Sequence, residues 1–154
     1  LHWQYDKFYF IPGLLILVPQ IIAKAGSIGG IFGARFSSGL HLGVLKPYRL
    51  NDYVVKNFVA AIALALVISP LVTLITKYGA ELFGIPIVPL VPLFLINLFA
   101  ILAITLLVFM LDFITASLSY KIRVDPSNSV IPLVTSMGDI IGTVVLVLAI
   151  SMFL

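Results

Sequence analysis

One acidic residue constrains this chain more than any other feature. Asp139 lies within residues 131–154, a stretch that is otherwise apolar and long enough to cross a bilayer. A carboxylate at that depth costs about 2.5–3.5 kcal/mol on insertion scales, so it has to face protein, water or a cation instead of lipid. Gly138 and Gly142 flank it with the GxxxG spacing that lets a second backbone approach closely. The pattern predicts a cation site in a tightly packed membrane helix, and a helix-pairing acid is the alternative.

The composition is that of a polytopic membrane protein. Of the 154 residues, 62% are hydrophobic and 10% are charged, whereas soluble domains carry about 25% charged residues. At about 20 residues per span, the chain has room for four spans and no soluble domain. The absence of cysteine excludes disulfides and cysteine-based sites, and nine scattered Lys and Arg residues do not indicate nucleic-acid binding. The expected partners are the lipid bilayer and a cation, with no nucleic acid.

Four apolar segments follow one another, at residues 8–23, 53–76, 93–120 and 129–154. Pro12, Gly13 and Pro19 should kink or break the first segment, and Pro70 should kink the second. Residues 25–34 are rich in small side chains, which fits close helix packing or irregular backbone along a water-filled path. A nucleotide-binding loop there is disfavoured because the P-loop lysine is missing. We predict an all-α transmembrane helix bundle, with one domain over residues 1–154 and a linker near residues 77–84.

The loop charges predict the orientation of the bundle. The connection after the first segment carries Lys46, Arg49 and Lys56, and the connection after the third carries Lys121 and Arg123. The middle connection carries one basic residue, Lys77, whose charge is offset by Glu81. The positive-inside rule therefore places the first and third connections in the cytoplasm. The start of the first segment and the C-terminus then lie outside. We expect a preceding helix, which makes five spans in the intact protein.

A second acid accompanies Asp139 on the last segment. Asp125 precedes Pro126, the arrangement of a helix N-cap followed by proline at the first helical position. The two acids are 14 residues apart, about 21 Å along a straight helix and on nearly one face. Thr135 and Thr143 stand four residues either side of Asp139 and share its face. Carboxylates with nearby hydroxyls suit Mg²⁺, a hard ion that prefers oxygen and keeps its waters.

The other polar residues of the spans carry weaker predictions. Asp112 is expected to reach the cytoplasmic interface, and Asn97 to pair with a neighbouring helix. His41 has no second histidine at ligand spacing, so a zinc site is not predicted. Tyr5-Asp6 and Met137-Gly138-Asp139 are similar to the YD and GxGD motifs of intramembrane aspartyl proteases, but Ser136 stands where the motif needs glycine. We predict that the chain is not an enzyme.

Two sets of residues resemble the MgtE-type magnesium transporters. Residues 19–27, continuing to 38–43, resemble the second membrane helix of that family, and Asp125-Pro126 with residues 135–142 resembles its fifth. The resemblance implies homodimers of five-helix subunits, with a pore between subunits lined by the second and fifth helices. It makes Asp139 the ion-binding acid and places Asp125 at the cytoplasmic end. The pore-lining residues would be Gly26, Ser27, Gly30, Thr135 and Gly138.

The resemblance also has two departures. Ser27 stands where the bacterial pattern has asparagine. We expect no counterpart of the family's cytoplasmic N-terminal and CBS domains, so that the chain resembles a stand-alone membrane module, as in shorter archaeal relatives or half-length relatives of the animal magnesium transporters. We expect a multi-pass protein of a prokaryotic plasma membrane that transports a divalent cation, most simply Mg²⁺, through a homodimer. The alternatives are exchange of Mg²⁺ for Na⁺ or H⁺, and a non-transporting membrane scaffold.

Overall fold

Residues 11–154 form five helices and no strand. The computed structural model describes this range, and at residues 11, 127 and 129 it describes the backbone alone. In chain order the helices are α1 (Ile11–Leu15), α2 (Leu17–His41), α3 (Asp52–Leu82), α4 (Leu90–Lys121) and α5 (Pro126–Phe153). Four spans, Pro12–His41, Asp52–Leu82, Leu90–Lys121 and Val130–Phe153, are long and apolar enough to cross a membrane. The predicted all-α bundle with four visible spans is confirmed.

The first span is broken near its start, as its prolines predicted. α1 contains Pro12 and ends before Ile16, and α2 then begins at Leu17. Pro19 lies in the first turn of α2, where its missing N–H removes no helical hydrogen bond.

The predicted end of the first span near residue 23 is wrong, because α2 continues to His41. The small-residue stretch is therefore regular helix, which rules out both the irregular backbone and the nucleotide-binding loop. Each glycine lowers helix stability by about 1 kcal/mol relative to alanine. Close packing compensates here: a Cβ on Gly29 would lie 2.8 Å from Val134 Cγ1, and one on Gly33 would lie 3.2 Å from Val130 Cγ1.

The second span is longer than predicted at both ends. The side chain of Asn51 caps α3 by accepting a hydrogen bond from the Val54 amide at 3.2 Å. The helix continues through Pro70 and includes most of the predicted linker, ending at Leu82. Gly84, with a φ of +66°, turns the chain after it. Lys77 and Glu81 form an ion pair of 2.9 Å one turn apart, which helps the helix to extend.

Helices α2, α4 and α5 pack on one another, and α3 packs chiefly on α4. The ring of Phe109 on α4 makes edge contacts with Phe32 and Phe36 of α2, at centroid distances of 5.0 and 5.1 Å. The Asn97 amide of α4 donates to the Ser69 carbonyl and to Thr73 Oγ1 of α3, at 3.1 and 2.9 Å. The predicted pairing of Asn97 with a neighbouring helix is confirmed.

The two basic connections meet at one end of the bundle. The Tyr48 amide, between α2 and α3, donates to Ser117 Oγ near the end of α4 at 3.2 Å. Lys121 Nζ lies 4.7 Å from the centroid of the Tyr48 ring, a cation–π contact. This end therefore carries the excess of Lys and Arg, and the positive-inside rule assigns it to the cytoplasm.

Alanine substitutions at two neighbouring glycines, Gly29 and Gly30, should have different effects on the stability of the fold. A methyl group at Gly29 would meet Val134 on α5 and Val108 on α4, at 2.8 and 3.5 Å, whereas Gly30 has no heavy atom within 4 Å. We expect Gly29→Ala to destabilise the fold by about 1–3 kcal/mol through overpacking. Gly30→Ala should leave stability unchanged or raise it slightly, because alanine favours helix. Thermal unfolding in detergent measures both, and equal melting temperatures would contradict this packing.

Candidate cation site

The GxxxG pair of α5 packs against α2 within the subunit. A Cβ on Gly138 would lie 3.3 Å from the Cβ of Ala25, and one on Gly142 would lie 3.7 Å from Ile21 Cγ2. Small residues at this spacing allow two membrane helices to approach closely. The contact fixes the depth and rotation of the next residue of α5, Asp139, relative to α2.

Asp139 is turned about 100° around α5 from Gly138 and is exposed on the single subunit. No hydrogen bond or ion pair to its carboxylate is formed by any group in residues 11–154. The Lys and Arg residues of α2, Lys24 and Arg35, form no ion pair with it. Arg35 donates to Asn57 Oδ1 at 2.6 Å, and the buried Lys24 ammonium has no hydrogen-bond partner among the described residues. The charge of Asp139 therefore faces out of the subunit.

Two threonines, Thr135 and Thr143, lie on the same face of α5 as Asp139. The Thr135 hydroxyl donates to the Ile131 carbonyl at 2.8 Å, and the Thr143 hydroxyl donates to the Asp139 carbonyl at 2.9 Å. Each hydroxyl uses its proton within the helix and keeps oxygen lone pairs that accept from water. The face is thus polar one turn above and one turn below the carboxylate.

On α2 the candidate pore residues divide into two groups. A Cβ on Gly26 would lie 4.0 Å from Thr135 Cγ2, and Gly30 on the same face has no heavy atom within 4 Å. The structure thus brings Gly26 and Thr135 together near Gly138, with open space beside Gly30. Ser27 lies on a different face, where it lines a cavity of about 140 Å³ shared with Lys24. A pore-lining role for Ser27 stays a prediction.

Asp125 immediately precedes α5, as the N-cap pattern predicted. Its Oδ1 atom lies 3.3 Å from His41 Nε2 at the end of α2. The pair borders a cavity of about 590 Å³ that Lys121 and Arg123 also line. The sequence does not predict this pairing, because the two residues are 84 positions apart in the chain. The structure therefore places Asp125 at the basic end of the bundle, between the end of α2 and the start of α5, with a histidine beside it.

Asp112 does not reach the cytoplasmic interface, and that prediction is wrong. Its side chain is fully buried, and neither carboxylate oxygen has a hydrogen-bond partner within residues 11–154. A Cβ on Gly33 of α2 would lie 3.3 Å from Asp112 Oδ1. The sequence carried little signal of this burial, because α4 is apolar all round and shows no distinct inner face.

A single subunit does not assemble a complete metal cage. The described part of the chain contains no group of three or more His, Cys, Asp or Glu side chains that could hold a metal ion. A divalent cation at Asp139 would take its remaining ligands from water, hydroxyls or a second subunit. The Asp6 of the protease alternative lies outside the described residues.

One comparison with known proteins identifies the family. The family model of MgtE, described as a divalent cation transporter, matches residues 18–149. No curated protein and no solved structure matches the chain. The family match spans α2 to α5, including both candidate acids and the four apolar spans. The chain is therefore an integral membrane protein that belongs to the MgtE family of divalent cation transporters.

Proposed function

We propose that this protein transports Mg²⁺ through a pore at the interface of a homodimer, with Asp139 as the ion-binding residue. One observation carries the proposal: Asp139 is an exposed carboxylate in a membrane span, beside the close contact of α2 with α5, and no described residue bonds to it. Such a charge is unfavourable against lipid. A second subunit with a cation between the two carboxylates removes it from lipid and balances it.

A two-fold axis beside α5 would place two Asp139 carboxylates near the same ion. The Coulomb attraction of each carboxylate for a dication is twice that for a monovalent ion at the same distance. Mg²⁺ keeps several waters when it binds, and the hydroxyls of Thr135 and Thr143 are placed to hydrogen-bond that hydration shell. Gly30 leaves room for water on α2, and Gly26 lies beside Thr135 on the same face.

Asp125 would form the cytoplasmic end of this path. It is about 21 Å from Asp139 along the axis of α5 and is exposed at the basic end of the bundle. Its Oδ1 atom also lies 3.3 Å from His41 Nε2. We further propose a prokaryotic plasma membrane as the location, on the resemblance to stand-alone archaeal modules.

Removing the charge of Asp139 should abolish transport without unfolding the protein. We expect Asp139→Asn to lower Mg²⁺ uptake into proteoliposomes at least about tenfold, because the loss of only 1.4 kcal/mol of binding is a factor of ten. The melting temperature should stay unchanged, since the side chain is exposed on the single subunit and no described residue bonds to it. Glu81→Gln is the matched control, because Glu81 is an exposed acid that pairs with Lys77 on its own helix. Unchanged uptake by Asp139→Asn refutes the assignment.

The dimer predicts a specific cross-link. The natural chain has no cysteine, so single-cysteine variants react at one position. Thr143→Cys, one turn from Asp139, should link two subunits through a short bifunctional maleimide in native membranes. Ile75→Cys, on α3 and 70% exposed, should label with a monofunctional maleimide and stay uncrosslinked. Efficient cross-linking at Ile75 with none at Thr143 would place the interface elsewhere.

Metal-dependent stabilisation separates a transporter from a scaffold. A ligand that binds only the folded state raises its stability as its concentration exceeds Kd. Mg²⁺ should raise the melting temperature of the wild-type protein in detergent and fail to do so for Asp139→Asn. Ca²⁺ and Mn²⁺ run in parallel give the order of preference. A scaffold predicts no shift with any of the three ions.

A further inference from the structure

A basic cavity lies at the level where the apolar spans end. Its volume is about 590 Å³, and Lys121, Arg123, His41 and Tyr120 are among the residues that line it. The first span ends at His41 and the third at Lys121, and α5 begins at Pro126, which also lines the cavity. The ends of apolar spans mark the boundary between the hydrocarbon core and the lipid headgroups. The cavity therefore opens at the height of the headgroup layer.

Two cations set the charge of this cavity. Lys121 and Arg123 carry them, and Asp125 is the single acid among the described residues that line it. Asp125 already has a partner in His41, whose Nε2 atom lies 3.3 Å from its Oδ1 atom. Lys and Arg side chains form strong, charge-assisted hydrogen bonds to phosphate oxygens. The cavity therefore suits an anion that carries a phosphate group.

Local contacts restrain both cationic residues. Lys121 Nζ lies 4.7 Å from the centroid of the Tyr48 ring, a contact that leaves N–H donors of the ammonium available to a ligand. Arg123 has a left-handed backbone with a φ of +61°, and its amide donates to the Tyr120 carbonyl at 3.3 Å. Glycine is the usual residue at such a position after a helix. An arginine there carries backbone strain, and strain of this kind is concentrated at binding sites.

Exposed apolar side chains beside the cavity favour a lipid over a soluble anion. Leu42 and Ile122 are 77% and 62% exposed, and each adjoins a lining residue in the chain. Val124 is also exposed and lines the cavity itself. Water would surround these side chains unfavourably, whereas the boundary between headgroups and acyl chains accommodates them. Tyr48 and Tyr120, both exposed, are aromatic residues of the type enriched at that boundary.

We propose that this cavity binds the headgroup of an anionic phospholipid. Lys121 and Arg123 donate to the phosphate oxygens, and the acyl chains extend along the apolar outer surface of the bundle. The positive-inside rule assigns this end to the cytoplasm, where the leaflet carries anionic lipids. A zwitterionic lipid has the same phosphate with a compensating cation, which the two basic side chains repel. The site therefore selects lipids by their net charge.

Melting temperatures of the protein purified in an uncharged detergent test this assignment. Short-chain phosphatidylglycerol at saturation should raise the melting temperature of the wild-type protein by at least about 3 °C, because a ligand that binds only the folded state stabilises it. Phosphatidylcholine with the same acyl chains should leave the melting temperature unchanged. Inorganic phosphate should also leave it unchanged, because it lacks the acyl chains that the apolar surface beside the cavity accommodates.

Two variants and a control locate the effect in the cavity. Lys121→Gln should need at least about tenfold more phosphatidylglycerol for the same shift, because a charge-assisted hydrogen bond is lost. Arg123→Gly should weaken binding to a similar extent, while its melting temperature without lipid stays equal or rises, since glycine relieves the left-handed backbone. Lys56→Gln removes a positive charge near the start of α3, at the same end of the bundle and outside the residues that line the cavity. It should respond as wild type.

Four results would overturn the proposal. No shift of the wild-type protein with phosphatidylglycerol excludes a site for anionic lipid, and an equal shift with phosphatidylcholine shows that the net charge of the lipid is not recognised. Neither measurement needs a variant to fold. A shift of the same size with inorganic phosphate makes a soluble anion the ligand. A loss in Lys56→Gln as large as that in Lys121→Gln assigns the response to the overall charge of this end of the bundle.

Discussion

The close approach of α2 and α5 is the contact on which the rest of the structure depends. Gly138 and Gly142 remove side chains from one helix where Ala25 and Ile21 stand on the other. In lipid, packing between helices replaces the hydrophobic effect as the source of association, so small residues at the contact matter more than apolar ones. The same contact holds Asp139 on the outer edge of α5 and leaves its charge to be balanced from outside the subunit.

The polar groups inside the bundle divide by whether the subunit satisfies them. Asn97 joins α4 to α3, and Arg35 joins α2 to Asn57 of α3, so these groups stabilise the arrangement of the helices. The Lys24 ammonium and the Asp112 carboxylate are buried without partners among the described residues. Unsatisfied ionisable groups in a membrane span are unfavourable for stability and concentrate where ions or protons move. The Lys24 and Asp112 side chains therefore lower the stability of the folded protein.

The described part of one subunit does not supply a full set of metal ligands. Its described residues contain no cluster of metal-ligating side chains, and its acids along α5 lie on an exposed face. A weak, hydrated site suits transport, because an ion that is bound too tightly does not leave. The proposed pore between two copies of the chain rests on the family assignment, the exposed acid and the open space beside Gly30.

Hydropathy alone determined the all-α class and the four spans, because these follow from local composition. The resemblance of residues 19–43 and 125–142 indicated the family, which the match over residues 18–149 confirmed, and the role of Asp139 stays a prediction. The helix through the small-residue stretch, the His41–Asp125 pair and the burial of Asp112 were decided only by tertiary structure. From the local sequence, the glycines predict a break in the helix. Their unfavourable effect on helix stability is offset only by close packing against neighbours such as Val134. When a helix is apolar all round, its sequence does not indicate whether an acid on it faces the interior or the exterior of the bundle, because the packing of other helices decides this.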